Sequence, residues 1–321
     1  NLVCIIAGEP NSINSELIGK IWKKKKLFNK SKVFVVGNYK LIKKQFERIN
    51  ISIKIKKISN IEKEDFKNLS ILDVPLYFND PFNVANKDKR NYLIKSFNLA
   101  VNLSKNKKIL GFINCPINKL DTFGNKTIGV TEFLAKKEKV LGKEAMLIYN
   151  KDLSVSPITT HIQVKKISKS LNKKLIINKL VTIDKFYKKY FNVKPNIGLL
   201  GLNPHNYELR NNSEEKKIII PAIKRARKLK IRVIGPLSGD TAFNNFKKEK
   251  LNILVGMYHD QVLSPFKTIF KFNAINITLG LPYIRISPDH GTGQDIMKKN
   301  KANPESLIES IKFFNKINVK T

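Results

Sequence analysis

Two cysteines, one tryptophan and four histidines are few for a chain of 321 residues, and only 25 acidic residues stand against 61 lysines and arginines. No apolar run approaches the ~20 residues that a bilayer-crossing helix needs. Each scarcity argues against something. Cys4 and Cys115 both lie in apolar, strand-like runs, which speaks against a disulfide framework and for a reducing, cytoplasmic setting. Residues 1–7 carry no basic stretch ahead of their apolar run and lead straight into a polar turn, so they read as a first strand and not a secretion signal. No membrane partner is expected.

The shortage of acidic residues leaves a formal net charge of +36. Such a balance suits nucleic acid or an anionic membrane when it is gathered in a patch. Here it is spread out, as at Lys23 to Lys26 and at Lys165, Lys166 and Lys169, on what read as outer helix faces. Lys, Ile and Asn are all abundant, which points to compositional drift. No aromatic–basic RNA motif or recognition-helix signature is present. A specific nucleic-acid partner is therefore not expected, and a non-catalytic anion- or nucleic-acid-binding protein is the remote alternative.

What the sequence does hold is an alternation of strand-like and helix-like runs, the pattern of a layered α/β protein. Its length exceeds the size at which single cores usually divide, so two domains are expected. Residues 3–7 and 32–37 read as buried strands, and residues 16–26 place Leu17, Ile18, Ile21 and Trp22 at helical spacing. Residues 51–58 alternate apolar and basic, a half-exposed strand. Residues 83–106 read as a long helix with Leu93, Phe97, Leu99, Ala100 and Leu103 inward, feeding a strand at 109–114. Further strands are predicted at 146–149, 196–200, 231–235 and 253–256. A helix at 305–315 is begun by Asn303 and Pro304.

Several of these strands run into polar turns, where open α/β sheets place ligands. Strand 109–114 ends in Cys115-Pro116-Ile117-Asn118-Lys119, in which Lys119 reads equally well as a solvated loop lysine. Residues 129–134 read as a loop entering a helix. There Thr131 is either an N-cap or a group presenting its hydroxyl and nearby amides to an anion. Thr159-Thr160-His161 reads as the start of a helical run. The next three strands end in Asn203-Pro204-His205, in Ser238-Gly239-Asp240-Thr241 and in Met257-Tyr258-His259-Asp260.

His161, His205 and His259 are too far apart for any short zinc motif, and a lone histidine is more often a packed or loop residue than a ligand. Three of them following strand-like runs change that weighing. Three neutral imidazoles suit a divalent ion that keeps one coordination position for substrate and polarises its oxygen. The densest polar sequence lies between Gly256 and Asp295. Within it Lys267, Asn276 and Arg285 offer two cations and an amide, a set suited to phosphate. In so lysine-rich a chain Lys267 also reads as surface charge. Arg285 does not, since arginine is scarce and this one lies in an apolar Gly-Pro segment. His290 sits in a different pattern, Asp289-His290-Gly291-Thr292, and is kept apart from the other three.

These pieces together resemble the 4-hydroxythreonine-4-phosphate dehydrogenase family of vitamin B6 biosynthesis. The matching segments are Cys115 to Lys119, Thr131 to Ala135, Thr159 to Ile162, Leu202 to His205, Gly235 to Leu237, Asp240-Thr241, Met257 to Gln261 and Asn276 to Asp295, in order across nearly the whole chain. Residues 291–296, with Ala302-Asn303-Pro304, also resemble the cofactor loop of isopropylmalate and isocitrate dehydrogenases. The resemblance implies two α/β/α domains with a central cleft, in the isocitrate/isopropylmalate dehydrogenase-like fold. Residues 1–127 plus 286–321 would form the cofactor-side domain, and 128–285 the domain with metal, substrate and dimer contacts.

The resemblance further implies that His161, His205 and His259 are the metal ligands, one of them supplied across a homodimer. Thr131, Lys267, Asn276 and Arg285 fall on substrate-binding positions, and His290, Gly291, Thr292, Asp295 and Asn303 on cofactor-binding ones. Asp240 or Lys119 would assist proton transfer. The implied cofactors are NAD or NADP and one divalent ion, zinc first, with Mg, Mn, Co and Ni as alternatives. The implied reaction oxidises 4-phosphooxy-L-threonine to a 3-oxo acid that loses carbon dioxide to give 3-amino-2-oxopropyl phosphate. Two positions depart from the family pattern. Val130 stands where a histidine usually precedes the threonine, and the first turn, residues 8–16, is not glycine-rich. A related phospho-sugar acid, 4-phospho-threonate or 4-phospho-erythronate, is the alternative substrate.

Overall fold

The computed structural model describes residues 2–62, 64–124, 129–271 and 273–317. The chain divides into two compact units, one built from Asn1–Val130 and Pro282–Lys316, the other from Thr131–Leu281 together with Ile317–Thr321. The boundary expected at 127/128 falls outside the described residues.

The first unit starts with β1 (Leu2–Ile6), α1 (Asn14–Lys23), β2 (Lys32–Gly37), α2 (Tyr39–Arg48), β3 (Ile55–Ile58) and β4 (Leu69–Asp73). It continues with α3 (Asn86–Lys105), β5 (Gly111–Asn114) and α4 (Lys119–Phe123). The second unit then runs through α5 (Val130–Lys137), β6 (Ala145–Tyr149), β7 (Ser154–Pro157), α6 (Ile167–Ser170), α7 (Lys173–Phe191) and β8 (Ile197–Leu200). It closes with α8 (Ile220–Lys228), β9 (Val233–Leu237), α9 (Gly239–Asn245), β10 (Ile253–Gly256), α10 (His259–Phe270) and β11 (Ile275–Leu279). The chain returns to the first unit for β12 (Ile284–Pro288) and α11 (Glu305–Lys316).

In the first unit the strand order is β3-β4-β2-β1-β5-β12, with every pairing parallel. Strands covered on both faces read as unbroken β-branched runs, and Val3 to Ile6 and Val33 to Val36 are buried throughout. The order in the second unit is β11-β6-β7-β10-β8-β9. There β7, β10, β8 and β9 are mutually parallel, while β6 alone runs antiparallel, to β7 on one side and to β11 on the other. Helix α10 lays Val262, Leu263 and Phe266 against Ile148, Val155 and Leu254 of this sheet. Burying a phenylalanine this completely contributes about 1.5–3 kcal/mol.

Four local expectations are corrected. Ser154–Pro157 is a strand, so Thr159, Thr160 and His161 lie in the loop after it, and the α-helix begins only at Ile167. Only Ile55–Ile58 of residues 51–58 pairs as a strand, because β4 offers partners from Leu69 to Leu72 alone. Leu99 and Leu103 are half-buried, and the inner face of α3 is completed by Tyr92, Ser96 and Val101. Thr131 is no N-cap, since α5 already starts at Val130. Cys4 and Cys115 are unpaired and buried, and burial pushes the Cys115 thiol up to about 12.

Candidate functional site

Parallel order fixes where the polar turns fall. The carboxyl ends of β7, β10, β8 and β9 lie side by side along one edge of the second unit, and from them emerge His161, His259, His205 and Asp240 in turn. The rings of His161 and His259 stand 5.9 Å apart, tilted by 41°. Two imidazoles sharing one ion at ~2.0–2.1 Å per nitrogen place their ring centres roughly 5–6 Å apart, so the pair fits a common divalent ion. Each ring has a carboxylate at its Nδ1. Asp260 Oδ1 lies 2.8 Å from His259 Nδ1, and Glu132 Oε1 lies 3.6 Å from His161 Nδ1. A carboxylate on one ring nitrogen leaves the other to face a metal. Among the described residues of the single chain, no three His, Cys, Asp or Glu side chains converge as a metal group. The chain brings together two of the three predicted imidazoles, and His205 does not complete the set.

His205 opens an unusual turn. From His205 to Leu209 five consecutive non-glycine residues take positive φ, between 48° and 57°. That conformation is disfavoured for L-residues and persists only where neighbouring contacts over-determine it. Asp240, in the first turn of α9, is fully exposed. The Ser238 side chain, with nearby His205, holds its carboxyl below the usual carboxylate range, so it is ionised at neutral pH and a weaker base than a free carboxylate.

Of the predicted substrate residues, Thr131 on α5 reaches β11, the strand that carries Asn276. Thr131 Oγ1 lies 3.2 Å from Thr278 Oγ1, and Asn276 and Thr278, two apart on β11, share a face. Asn276 Oδ1 is buried without a hydrogen-bond partner, an acceptor available to a donor on a ligand. Lys267 is exposed two turns along α10 from His259, about 12 Å at 1.5 Å per residue. Arg285 belongs to the first unit, where β12 buries it and its Nε donates to Asn114 Oδ1 at 2.6 Å.

The first unit collects its own polar turns at the ends of β1, β5 and β12. Gly8 (φ +75°) lies so close to Pro116 O and the Asn14 amide that a Cβ would come within 2.7 Å and 2.6 Å of them. Glu9 accepts the Asn118 amide at 3.2 Å and faces the Lys89 ammonium at 3.0 Å; both charged side chains are buried. Lys119 is exposed at the start of α4, just past this anchored turn. The predicted cofactor residues Gly291 and Thr292 pass over the start of α1, where the Ile13 amide donates to Thr292 O at 3.1 Å. Asp295 lies in the short turn that follows. The Ala302 amide, beside Asn303, donates to Glu16 Oε1 at 2.7 Å. Burial holds the His290 imidazole below its ordinary range, so it is neutral, and its buried Nε2 has no partner. That unpaired nitrogen and the loop's open backbone fit a cofactor with polar edges. Missed by sequence reasoning were Glu132, Thr278, Glu215 and the Glu9–Lys89 pair. Glu132 and Thr278 carried a signal, since each lies in a matched motif beside a predicted residue, Thr131 and Asn276.

Two α/β units with polar side chains gathered at strand carboxyl ends are the arrangement of an α/β enzyme that binds its ligands at those ends. Residues 29–314 match the family model of pyridoxal phosphate biosynthetic protein PdxA. A 4-hydroxythreonine-4-phosphate dehydrogenase of Sulfurihydrogenibium sp. is 39% identical over 96% of this chain and 96% of its own. The solved structure of a putative 4-hydroxythreonine-4-phosphate dehydrogenase from Salmonella typhimurium superposes with a TM-score of 0.85 at 31% identity, over 97% of this chain and 98% of the other. A putative D-threonate 4-phosphate dehydrogenase of Oceanobacillus iheyensis is 28% identical over 97% of this chain and 96% of its own. The chain belongs to the PdxA family, the 4-hydroxythreonine-4-phosphate dehydrogenases of pyridoxal phosphate biosynthesis, and is an oxidoreductase.

Proposed function

We propose that the chain is a metal-dependent, NAD(P)-linked dehydrogenase of 4-phosphooxy-L-threonine, active as a homodimer. The observation that carries this reading is the His161–His259 pair at 5.9 Å in a chain of this family. His161 and His259 would hold the ion from one protomer, with His205 of the second copy as third ligand. When bound, the ion polarises the substrate hydroxyl and the nicotinamide accepts hydride. Thr131 and Asn276 orient the polar groups of the substrate on the face of β11, with Lys267 and Arg285 as the cations for its anionic groups. Asp240, held ionised, takes the alcohol proton, or Lys119 takes that role. His290, Gly291, Thr292, Asp295 and Asn303 hold the cofactor. The test is the near-ultraviolet absorbance of NAD(P)H on mixing the protein with 4-phosphooxy-L-threonine, with and without chelator. Turnover that chelator leaves untouched would refute metal dependence, and no turnover would refute the activity.

Val130 favours a second reading. It is buried at the first position of α5, ahead of Thr131, and an aliphatic side chain there supplies no donor. Losing one hydrogen bond to a charged group costs about 1.5–3 kcal/mol, enough to alter the choice among close substrates such as 4-phospho-threonate or 4-phospho-erythronate, which carry a hydroxyl where 4-phosphooxy-L-threonine has its amino group. Parallel kcat/KM values for the three substrates decide between the readings.

A further inference from the structure

The three histidine-bearing loops do not stand independently. Gln261, in the first turn of α10, uses both ends of its amide. Its Oε1 accepts the Met257 amide at 2.6 Å, and its Nε2 donates to Gly201 O at 2.7 Å. Met257 O in turn accepts the Thr159 amide at 3.1 Å and the Thr159 hydroxyl at 2.8 Å. One unbroken series of hydrogen bonds therefore runs Gly201–Gln261–Met257–Thr159 across the ends of β8, β10 and β7. It touches the chain two residues before His161, two before His259 and four before His205. Glu215 completes it. This carboxylate is wholly buried, and its Oε1 accepts the Leu202 and Asn203 amides, each at 2.8 Å, while its Oε2 accepts the Asn203 side-chain amide at 3.0 Å. Asn206 Nδ2 donates to Pro236 O at 3.2 Å, linking the same turn to the loop that carries Asp240.

We propose that Gln261 and Glu215 are positioning residues that set where the His161, His205 and His259 imidazoles stand relative to one another. The inference rests on the reading of those histidines as metal ligands. Three observations separate this role from packing. Gln261 is half-exposed, so apolar burial does not require it. Its two bonds go to peptide groups of two different histidine loops. Glu215 also grips Leu202 and Asn203, one residue short of the left-handed run that begins at His205, where an unsupported backbone would relax toward an ordinary conformation. Gly201 is required by the same arrangement: a Cβ there would run into Asn206 and lie 3.1 Å from Glu215 Oε1.

The test uses the full chain and Zn2+ alone. Gln261→Glu keeps the acceptor for Met257, removes the donor to Gly201 and sets a negative charge against the Gly201 carbonyl oxygen. Thr159→Val removes the hydroxyl bond to Met257 O, and Thr159→Ser restores it. Disturbing groups that orient metal ligands typically weakens affinity about 10–100-fold. Chelator competition should show that loss for Gln261→Glu and Thr159→Val, with Thr159→Ser near the wild type. In metal-free protein, the Leu202 and Asn203 amides should exchange hydrogen faster in Gln261→Glu. Zn2+ affinity within about threefold of the wild type in both weakened variants, with unchanged exchange, overturns the proposal. Wild-type protein that binds no Zn2+ removes the metal reading instead. The exchange experiment then stands alone, and unchanged exchange removes the positioning role as well.

Discussion

Lys89→Met isolates one charge of a buried pair and leaves the other stranded. The Lys89 ammonium lies 3.0 Å from Glu9 Oε1 and 3.3 Å from Asp121 Oδ2. Lys89 is 4% exposed and Glu9 1%, whereas the Asp121 side chain, at 28%, is reached by water. Removing the lysine therefore leaves the Glu9 carboxylate in low dielectric with only the Asn118 amide to answer it. Breaking a buried pair in this way costs about 3–5 kcal/mol, against a total stability of about 5–15 kcal/mol for a domain. With a urea slope of about 2 kcal/mol/M, the unfolding midpoint of the first unit should fall by about 1.5–2.5 M. Trp22 is the sole tryptophan and sits half-buried on α1 of that unit, so its fluorescence reports on the right part of the molecule. Glu9→Gln combined with Lys89→Met removes both charges and should recover at least half of the loss. A single variant whose midpoint moves by less than ~0.3 M, or a double variant no better than the single, would refute the stranded-charge account.

His161→Ala and His259→Ala should each abolish chelator-sensitive turnover of 4-phosphooxy-L-threonine while leaving the far-ultraviolet circular dichroism unchanged; retained turnover removes that histidine from the site. Phe266→Ala empties a fully buried position beneath α10 and should cost about 3–5 kcal/mol in urea unfolding followed by circular dichroism. Since burial lowers the His290 pKa in the folded state, the unfolded chain binds the proton first as pH falls. Its contribution is thus complete above the ordinary histidine range and is lost as pH drops below about 6.5. The Trp22-monitored midpoint should fall from pH 7.5 to 5.5, and His290→Gln should flatten that slope. Gly201→Ala should weaken Zn2+ binding, because the added methyl displaces Asn206 beside Glu215; unchanged binding would show that the turn accommodates it.

Much of the layering was legible because β1 and β2 are short unbroken apolar runs and α1 and α3 repeat their apolar residues at helical spacing. Strand β7 was not, since Ser154-Val155-Ser156-Pro157 offers two hydroxyls and a proline, and pairing with β10 and β6 makes it a strand. That omission tied His161 to the strand at 146–149, although all three histidines already read as following strand-like runs. The histidines themselves stood out in polar turns, as did Asp240 and the Asn276–Asp295 segment. Glu9 and Lys89 are 80 positions apart, and nothing local marks either as buried. Glu215 lies ten residues beyond His205, in a charged run that looks like solvated surface, and only the fold turns its carboxylate inward toward two peptide amides.

The division of the chain also governs the order in which its parts can be finished on the ribosome. Thr131–Leu281 is contiguous, so its sheet has all six strands as soon as β11 has emerged. The earlier-made unit must wait: its sixth strand, β12, and the covering helix α11 come almost last. Until then β5 presents an open edge with unpaired amides and carbonyls, the kind of edge that recruits strands from other chains. A nascent chain stalled near residue 281 therefore carries one completed body and one adhesive one.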